Sequence, residues 1–162
     1  MSEVRHSFGF PLSIGVLSDV GRIRTNNEDS FGRAWLDDGS LFVIVADGMG
    51  GHEAGEVASS LAVQVVEESV SRNLEMDPRE RIYNALLEAN EAILDEGQNS
   101  GTRGMGTTSI VALIKGNQAY IGLIGDSRCF HFRRGHMLWR TSDHTRVQML
   151  IEQGKISEEQ AR

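Results

Sequence analysis

The sequence predicts an α+β fold in which antiparallel sheets carry helices on their outer side. Three observations predict it. The run Leu41–Ala46 is continuously apolar and stops abruptly at Asp47-Gly48, the mark of a strand buried on both faces. From Glu53 the apolar residues change to helical spacing, and a second helical segment follows Asp77-Pro78. From Thr107 the pattern becomes extended again. Strands, then two helices, then strands is the segregated order of an α+β domain.

Taken in order, Leu12–Leu17 and Ile23–Thr25 read as short strands around a turn at Asp19 and Gly21, and Ser30–Trp35 reads as a third. Asp37-Asp38-Gly39 is a turn signal. In the first helix Ala58, Leu61, Ala62, Val65 and Val66 form the apolar face. The second starts at Asp77, a capping residue, with Pro78 at the first helical position and Glu80 completing a capping-box-like pattern. Ile82, Leu86, Ala89 and Ile93 line it, and Gly97–Gly104 reads as a polar loop. Thr107–Ile114 and Ala119–Ile124 are strands joined at Gly116-Asn117, and Cys129–Phe132 with Met137–Arg140 make a hairpin around Gly135. Asp143 is the expected cap of a helix carrying Val147, Leu150 and Ile151 and stopped at Gly154. Ser157 to Gln160 is a capping box that launches a further helix about one turn before the last residue, Arg162.

The 162 residues show no repeat, low-complexity tract or linker, so residues 1–162 read as a single domain. A net charge of −7 gives no electrostatic footprint for nucleic acid. No apolar stretch approaches a membrane span, and Met1 to Arg5 lack a signal-peptide pattern. The one cysteine, Cys129, has no partner for a disulfide or a thiolate metal site. A cytoplasmic location is expected.

Acidic residues stand where strands end: Glu28-Asp29, Asp47-Gly48 and Asp126. Oxygen donors of this kind suit hard cations such as Mg²⁺ or Mn²⁺, and nothing supplies the Cys/His spacing of a zinc site. An Asp before Gly is, taken singly, as readily a turn residue. The glycine-rich string Gly48-Met49-Gly50-Gly51 lacks the Gly-Lys-Ser/Thr ending of a phosphate-binding P-loop.

The full strings carry more. Ser18-Asp19-Val20-Gly21-Arg22-Ile23-Arg24-Thr25-Asn26-Asn27-Glu28-Asp29 resembles the first motif of bacterial-type PP2C (PPM) metal-dependent Ser/Thr phosphatases. Val45-Ala46-Asp47-Gly48-Met49-Gly50-Gly51-His52-Glu53-Ala54-Gly55-Glu56-Val57-Ala58 resembles the second. Gly104-Met105-Gly106-Thr107-Thr108, Gly125-Asp126-Ser127-Arg128 and Ser142-Asp143-His144-Thr145 resemble three more, in the family's order.

The resemblance implies a sandwich of two antiparallel β-sheets flanked by helices. It implies hydrolysis of phosphoserine and phosphothreonine monoesters in proteins by water activated between two or more Mn²⁺ or Mg²⁺ ions. On it, Asp47 bridges two metals, the Gly48 carbonyl is a further ligand, and Glu28 and Asp29 hold metal-bound waters or the second metal. Asp126 contacts an additional, weaker ion, and Arg24 binds the substrate phosphate through its planar fork. The nucleophile is then a metal-bridging hydroxide, with no covalent enzyme intermediate. His52 is either the general acid for the leaving group or an ordinary loop histidine. Phosphorylated Ser/Thr proteins, a cognate Ser/Thr kinase among them, are the implied partners.

The family's domain continues beyond the point matched by Arg162, with further strands and two more aspartates. The expectation is therefore a sandwich incomplete at its C-terminus, with exposed apolar surface and self-association through open sheet edges. Two readings stand: the N-terminal part of a phosphatase domain, or a catalytically silent phosphatase-like module that binds metal, phosphopeptide or a partner protein.

Overall fold

The computed structural model describes residues 12–51, 53–157 and 159–161. Two strands open the described fold, β1 (Asp29–Trp35) and β2 (Leu41–Met49). Two long helices follow, α1 (Glu53–Arg72) and α2 (Pro78–Asn99). Then come β3 (Gly106–Thr107), β4 (Ser109–Lys115), β5 (Gln118–Ile124), β6 (Phe130–Arg133), β7 (His136–Arg140) and a short α3 (Arg146–Glu152). The main sheet runs β1-β2-β4-β5, with β3 added to the end of β2, and every pairing is antiparallel. The pair β6-β7 forms a separate two-stranded sheet.

One face of the main sheet carries both long helices. Phe42 and Ile44 of β2 and Val111 and Leu113 of β4 alternate onto that face. They meet Val66 and Val70 of α1 and Ile82, Ala85 and Ala89 of α2, all buried. Each large aliphatic or aromatic side chain hidden there contributes about 1.5–3 kcal/mol of transfer free energy. The other face is open: Phe31 is 49% and Val45 47% exposed, and Ile121 is also exposed. Of the expected sandwich, one sheet with its helical layer is present, together with a β6-β7 hairpin whose residues are all exposed.

The tight turns lie where the sequence puts them. At Asp37-Asp38-Gly39 the Gly39 N–H donates to the Leu36 carbonyl at 2.9 Å, and Asp38 Oδ1 accepts from the Ser40 N–H at 3.1 Å. Asp77 caps α2 by accepting from the Arg79 N–H at 2.8 Å, with Pro78 at the first helical position. Ser157 and Gln160 form the expected reciprocal box, at 2.9 and 3.2 Å, but among the described residues it opens a turn at 159–161 and not the further helix expected.

Several expectations need correction. The strand β2 is buried on its helix-facing side alone, not on both faces, because nothing among the described residues covers Val45. Leu12–Leu17 and Ile23–Thr25 are not strands: no described strand pairs with them, and Leu17 and Ile23 are almost fully exposed. Alternation marks a strand only when a neighbour supplies the ladder. The loop expected from Gly97 begins instead at Ser100, because Gly97 is buried in the last turn of α2. Helix α3 is capped by Thr145, whose Oγ1 accepts from the Gln148 N–H at 3.1 Å, and not by Asp143. Asp143 is taken by Arg128, whose Nε donates to Oδ1 at 2.8 Å in a two-pronged pair.

A polar knot inside the fold escaped the sequence reading. Arg81 of α2 is 2% exposed, donates to Asp38 Oδ2 at 3.0 Å and to the Val70 carbonyl at 2.6 Å, and so ties the β1–β2 turn to both helices. Lys115 reaches the same Asp38 oxygen at 3.1 Å from the end of β4. Burial alone would raise the Asp38 carboxyl. The hydrogen bonds from Ser40, then those from Lys115 and Arg81, outweigh it and hold the group at about 2.

Candidate metal and phosphate site

The candidate site is built at one end of the sheet, where β1 begins and β2 ends. The antiparallel register places Asp29 directly opposite Asp47. This is a non-hydrogen-bonded position, where facing side chains come closest. Gly48 donates its N–H to the Glu28 carbonyl at 3.1 Å, which fixes the alternation.

The backbone of Asp47 is clamped by one residue. Thr108 Oγ1 accepts from the Asp47 N–H at 3.1 Å, and the Thr108 N–H donates to the Asp47 carbonyl at 2.9 Å. Thr108 sits in the break between β3 and β4, which frees its side chain to reach back across β2. Its hydroxyl is also 2.7 Å from Ser127 Oγ, on the loop that carries Asp126. The Gly125 carbonyl accepts from the His144 N–H at 2.8 Å, so the 125–128 and 141–145 segments are tied together as well.

Helix α1 closes on the site through its first turn. A β-carbon on Gly48 would lie 2.0 Å from the Gly55 carbonyl oxygen, and one on Gly55 would lie 2.2 Å from Glu28 Oε2. Only hydrogen at both positions lets helix and strand approach this closely, and the Glu28 carboxylate occupies the space over Gly55. The buried Ser59 hydroxyl donates to the Glu28 carbonyl at 2.7 Å and lies 2.9 Å from Ser30 Oγ, which must then be the donor to it. Glu28 is thus held at its carbonyl, with its carboxylate lying over Gly55.

Arg24 lines a cleft of about 500 Å3 with Glu28, Gly48, Met49, Gly50 and Gly51. Asn26 Nδ2 donates to Glu56 Oε2 at 3.0 Å and fastens this segment to α1. Partial desolvation pushes the Asp47 carboxyl above the ordinary carboxylate range. The charge of Asp29 adds to the rise, Arg24 opposes it, and the hydrogen bond with Asp29 and the charge of Asp126 raise it further.

Asp29, Arg24 and Asp126 therefore all act on Asp47. Among the described residues no three His, Cys, Asp or Glu side chains converge into a ready-made cage. What converges is a carboxylate pair under mutual repulsion, with a glycine carbonyl beside it. That donor set fits a hard divalent cation, which would relieve the repulsion. His52 lies outside the described residues. Thr108, Ser59 and Ser127 are the contributors that sequence reasoning missed; Thr108 and Ser127 stand inside the quoted motifs, but nothing in residue type or spacing tells of the clamp.

An antiparallel sheet that presents facing carboxylates at its strand ends, beside an arginine-lined cleft, offers the donor types that a hard divalent cation and a phosphate group would each need. Residues 22–148 match the model of the family described as Protein phosphatase 2C, and the chain belongs to that family. A putative protein phosphatase 2C-type protein of Streptococcus pyogenes is 38% identical over 154 residues, covering 93% of this chain and 62% of the relative. A serine/threonine phosphatase stp of Listeria innocua is 38% identical over 149 residues, covering 89% of this chain and 59% of the relative. Among solved structures, the S. agalactiae serine/threonine phosphatase superposes with a TM-score of 0.76 at 34% identity, over 89% of this chain and 61% of that one. The catalytic domain of serine threonine protein phosphatase PstP in complex with 2 manganese ions gives 0.74 at 36% identity, over 90% and 61%. The chain thus spans about three fifths of the length of these relatives.

Proposed function

We propose that residues 1–162 are one phosphatase-type domain and contribute the metal- and phosphate-binding part of a metal-dependent protein serine/threonine phosphatase. The observation that carries this reading is the Asp29–Asp47 pair on adjacent strand ends, with Arg24 acting on Asp47 from the neighbouring cleft. Asp47 and Asp29, with the Gly48 carbonyl and Asp126, hold the cations; Glu28 supports them from over α1. Divalent ions there, Mn²⁺ or Mg²⁺, supply activation of water and neutralisation of phosphate charge. Arg24 receives the phosphate oxygens through its fork. Thr108 keeps Asp47 in register with the Asp126 loop, so the acidic groups do not have to reorganise when a phosphate arrives. His52 is the candidate to protonate the leaving alkoxide.

Substrates are phosphoserine- and phosphothreonine-containing proteins, a cognate kinase among them. Retention of Arg24, Glu28, Asp29, Asp47 and Asp126 together favours this over the silent module. A cytoplasmic location suits the free Cys129, and among the described residues no helix is long and apolar enough to cross a membrane. The open apolar face around Phe31, Val45 and Ile121 supports self-association. The test is hydrolysis of a generic aryl phosphate with Mn²⁺, beside Asp47→Ala and a chelator. Activity that needs metal and is lost in the variant supports the proposal; activity indifferent to both refutes it.

A further inference from the structure

The outer edge of β1 has no strand beside it among the described residues. The Gly48-to-Glu28 hydrogen bond sets the alternation, so Ser30, Gly32 and Ala34 bond to β2. The N–H and C=O groups of Asp29, Phe31 and Arg33 then point outward. Asp29 corroborates this, because its N–H donates to the Asn27 side chain at 3.1 Å and not to β2. Alongside this edge runs α1, and between them lies a groove of about 750 Å3.

Val63 gives the groove an apolar floor, the β1 edge at Ser30 and Phe31 runs along one side, and Gln64, Glu67, Glu68 and Ser71 form its helical wall. Neither Glu67 nor Glu68 belongs to an ion pair among the described residues, and no cationic side chain lines the groove. Asp29 closes the end next to the candidate metal site.

We propose that this groove docks an extended, lysine- or arginine-bearing segment of a partner protein, which adds to the sheet as a strand beside β1. A free ladder edge asks for extended backbone, and the neighbouring helix supplies side-chain selection. Glu67 and Glu68, the latter hydrogen-bonded to Gln64 Nε2 at 3.1 Å but neither in an ion pair among the described residues, select a basic side chain every second residue. The seated segment ends beside Asp29, at the threshold of the metal site. Docking does not require the site to be active, so it stands or falls apart from the phosphatase reading.

The test is fluorescence anisotropy with a labelled short peptide of alternating lysine and valine. Two comparison peptides are used: one N-methylated at every second residue, and one with glutamate replacing lysine. The lysine peptide binds; the other two do not. Glu67→Gln combined with Glu68→Gln weakens binding about tenfold, whereas Glu91→Gln with Asp95→Asn, on the exposed side of α2, leaves it unchanged. Phe31→Pro removes an outward N–H that β2 does not use and abolishes binding while circular dichroism stays native. Equal binding of the N-methylated peptide, equal loss from the α2 variant, or a β1 edge already paired with a second copy in solution overturns the proposal.

Discussion

Replacing Gly48 by alanine probes the joint on which the site is built. The added methyl would sit 2.0 Å from the Gly55 carbonyl oxygen and 2.7 Å from the Glu28 carbonyl oxygen. Both are backbone atoms, and neither can swing away as a side chain would. The strand β2 and the first turn of α1 must therefore separate, which places the cost at the upper end for overpacking, about 3 kcal/mol. For a chain of this size that lowers the melting temperature by about 6–12 °C. The same shift pulls the Glu28 carbonyl from its Ser59 and Gly48 donors, so Mn²⁺ affinity falls as well. Gly15→Ala is the matched control, since its methyl meets nothing within 4 Å; it changes stability by less than about 0.5 kcal/mol. Thermal melts of the metal-free chain and a Mn²⁺ titration read both effects. A Gly48→Ala chain that melts with the parent and binds Mn²⁺ equally would refute the close-approach argument.

Asp38 titrates at about 2 in the folded chain against 3.8 when unperturbed. Its stabilisation is therefore complete above about pH 4 and is lost as pH falls toward 2, amounting to about 1–2 kcal/mol after solvent screening. Urea midpoints measured across that window fall less steeply for Asp38→Asn than for the parent. Asp47 shifts the other way. Its raised carboxyl means the folded, metal-free chain holds that proton more tightly than the unfolded chain, so the group costs stability once pH has risen through the carboxylate range. Asp47→Asn accordingly raises the melting temperature of the metal-free chain at neutral pH while removing Mn²⁺ binding, as calorimetry would register. Thr108→Val leaves the Asp47 N–H without its acceptor and costs about 1–2 kcal/mol in chemical denaturation; Thr108→Ser retains most of the lost stability and metal affinity.

Much of this fold and site was legible in the sequence because the cues were local. The strand at Leu41, the Asp77-Pro78 helix start and the Asp37-Asp38-Gly39 turn each depend on a few neighbouring residues, and each forms where expected, although the strand is buried on its helix-facing side alone. The motif strings led to Asp47 and to Asp29, Asp126 and Arg24, each of which acts on Asp47 in the folded chain. What was illegible depends on residues far apart in the chain. Asp143 and Thr145 are both good capping types, and the contest is decided by Arg128, 15 residues earlier, which claims the aspartate. Arg81 has the polarity of a surface helix residue, yet Asp38, 43 residues away, draws it into the core. Thr108 reaches Asp47 across 61 residues of sequence. The alternating apolar residues of Leu12–Leu17 have no described neighbour, so a strand-like pattern stays outside the sheets.

The central claim is that the Asp29–Asp47 pair holds divalent cations, and a Mn²⁺ titration followed by electron paramagnetic resonance tests it directly. Bound Mn²⁺ loses the sharp signal of the free ion. The parent chain is expected to quench that signal until its sites fill, and Asp47→Ala to leave it at the free-ion level while circular dichroism shows the variant folded. Equal quenching by the parent and by folded Asp47→Ala would contradict the claim and move any metal site elsewhere on the chain.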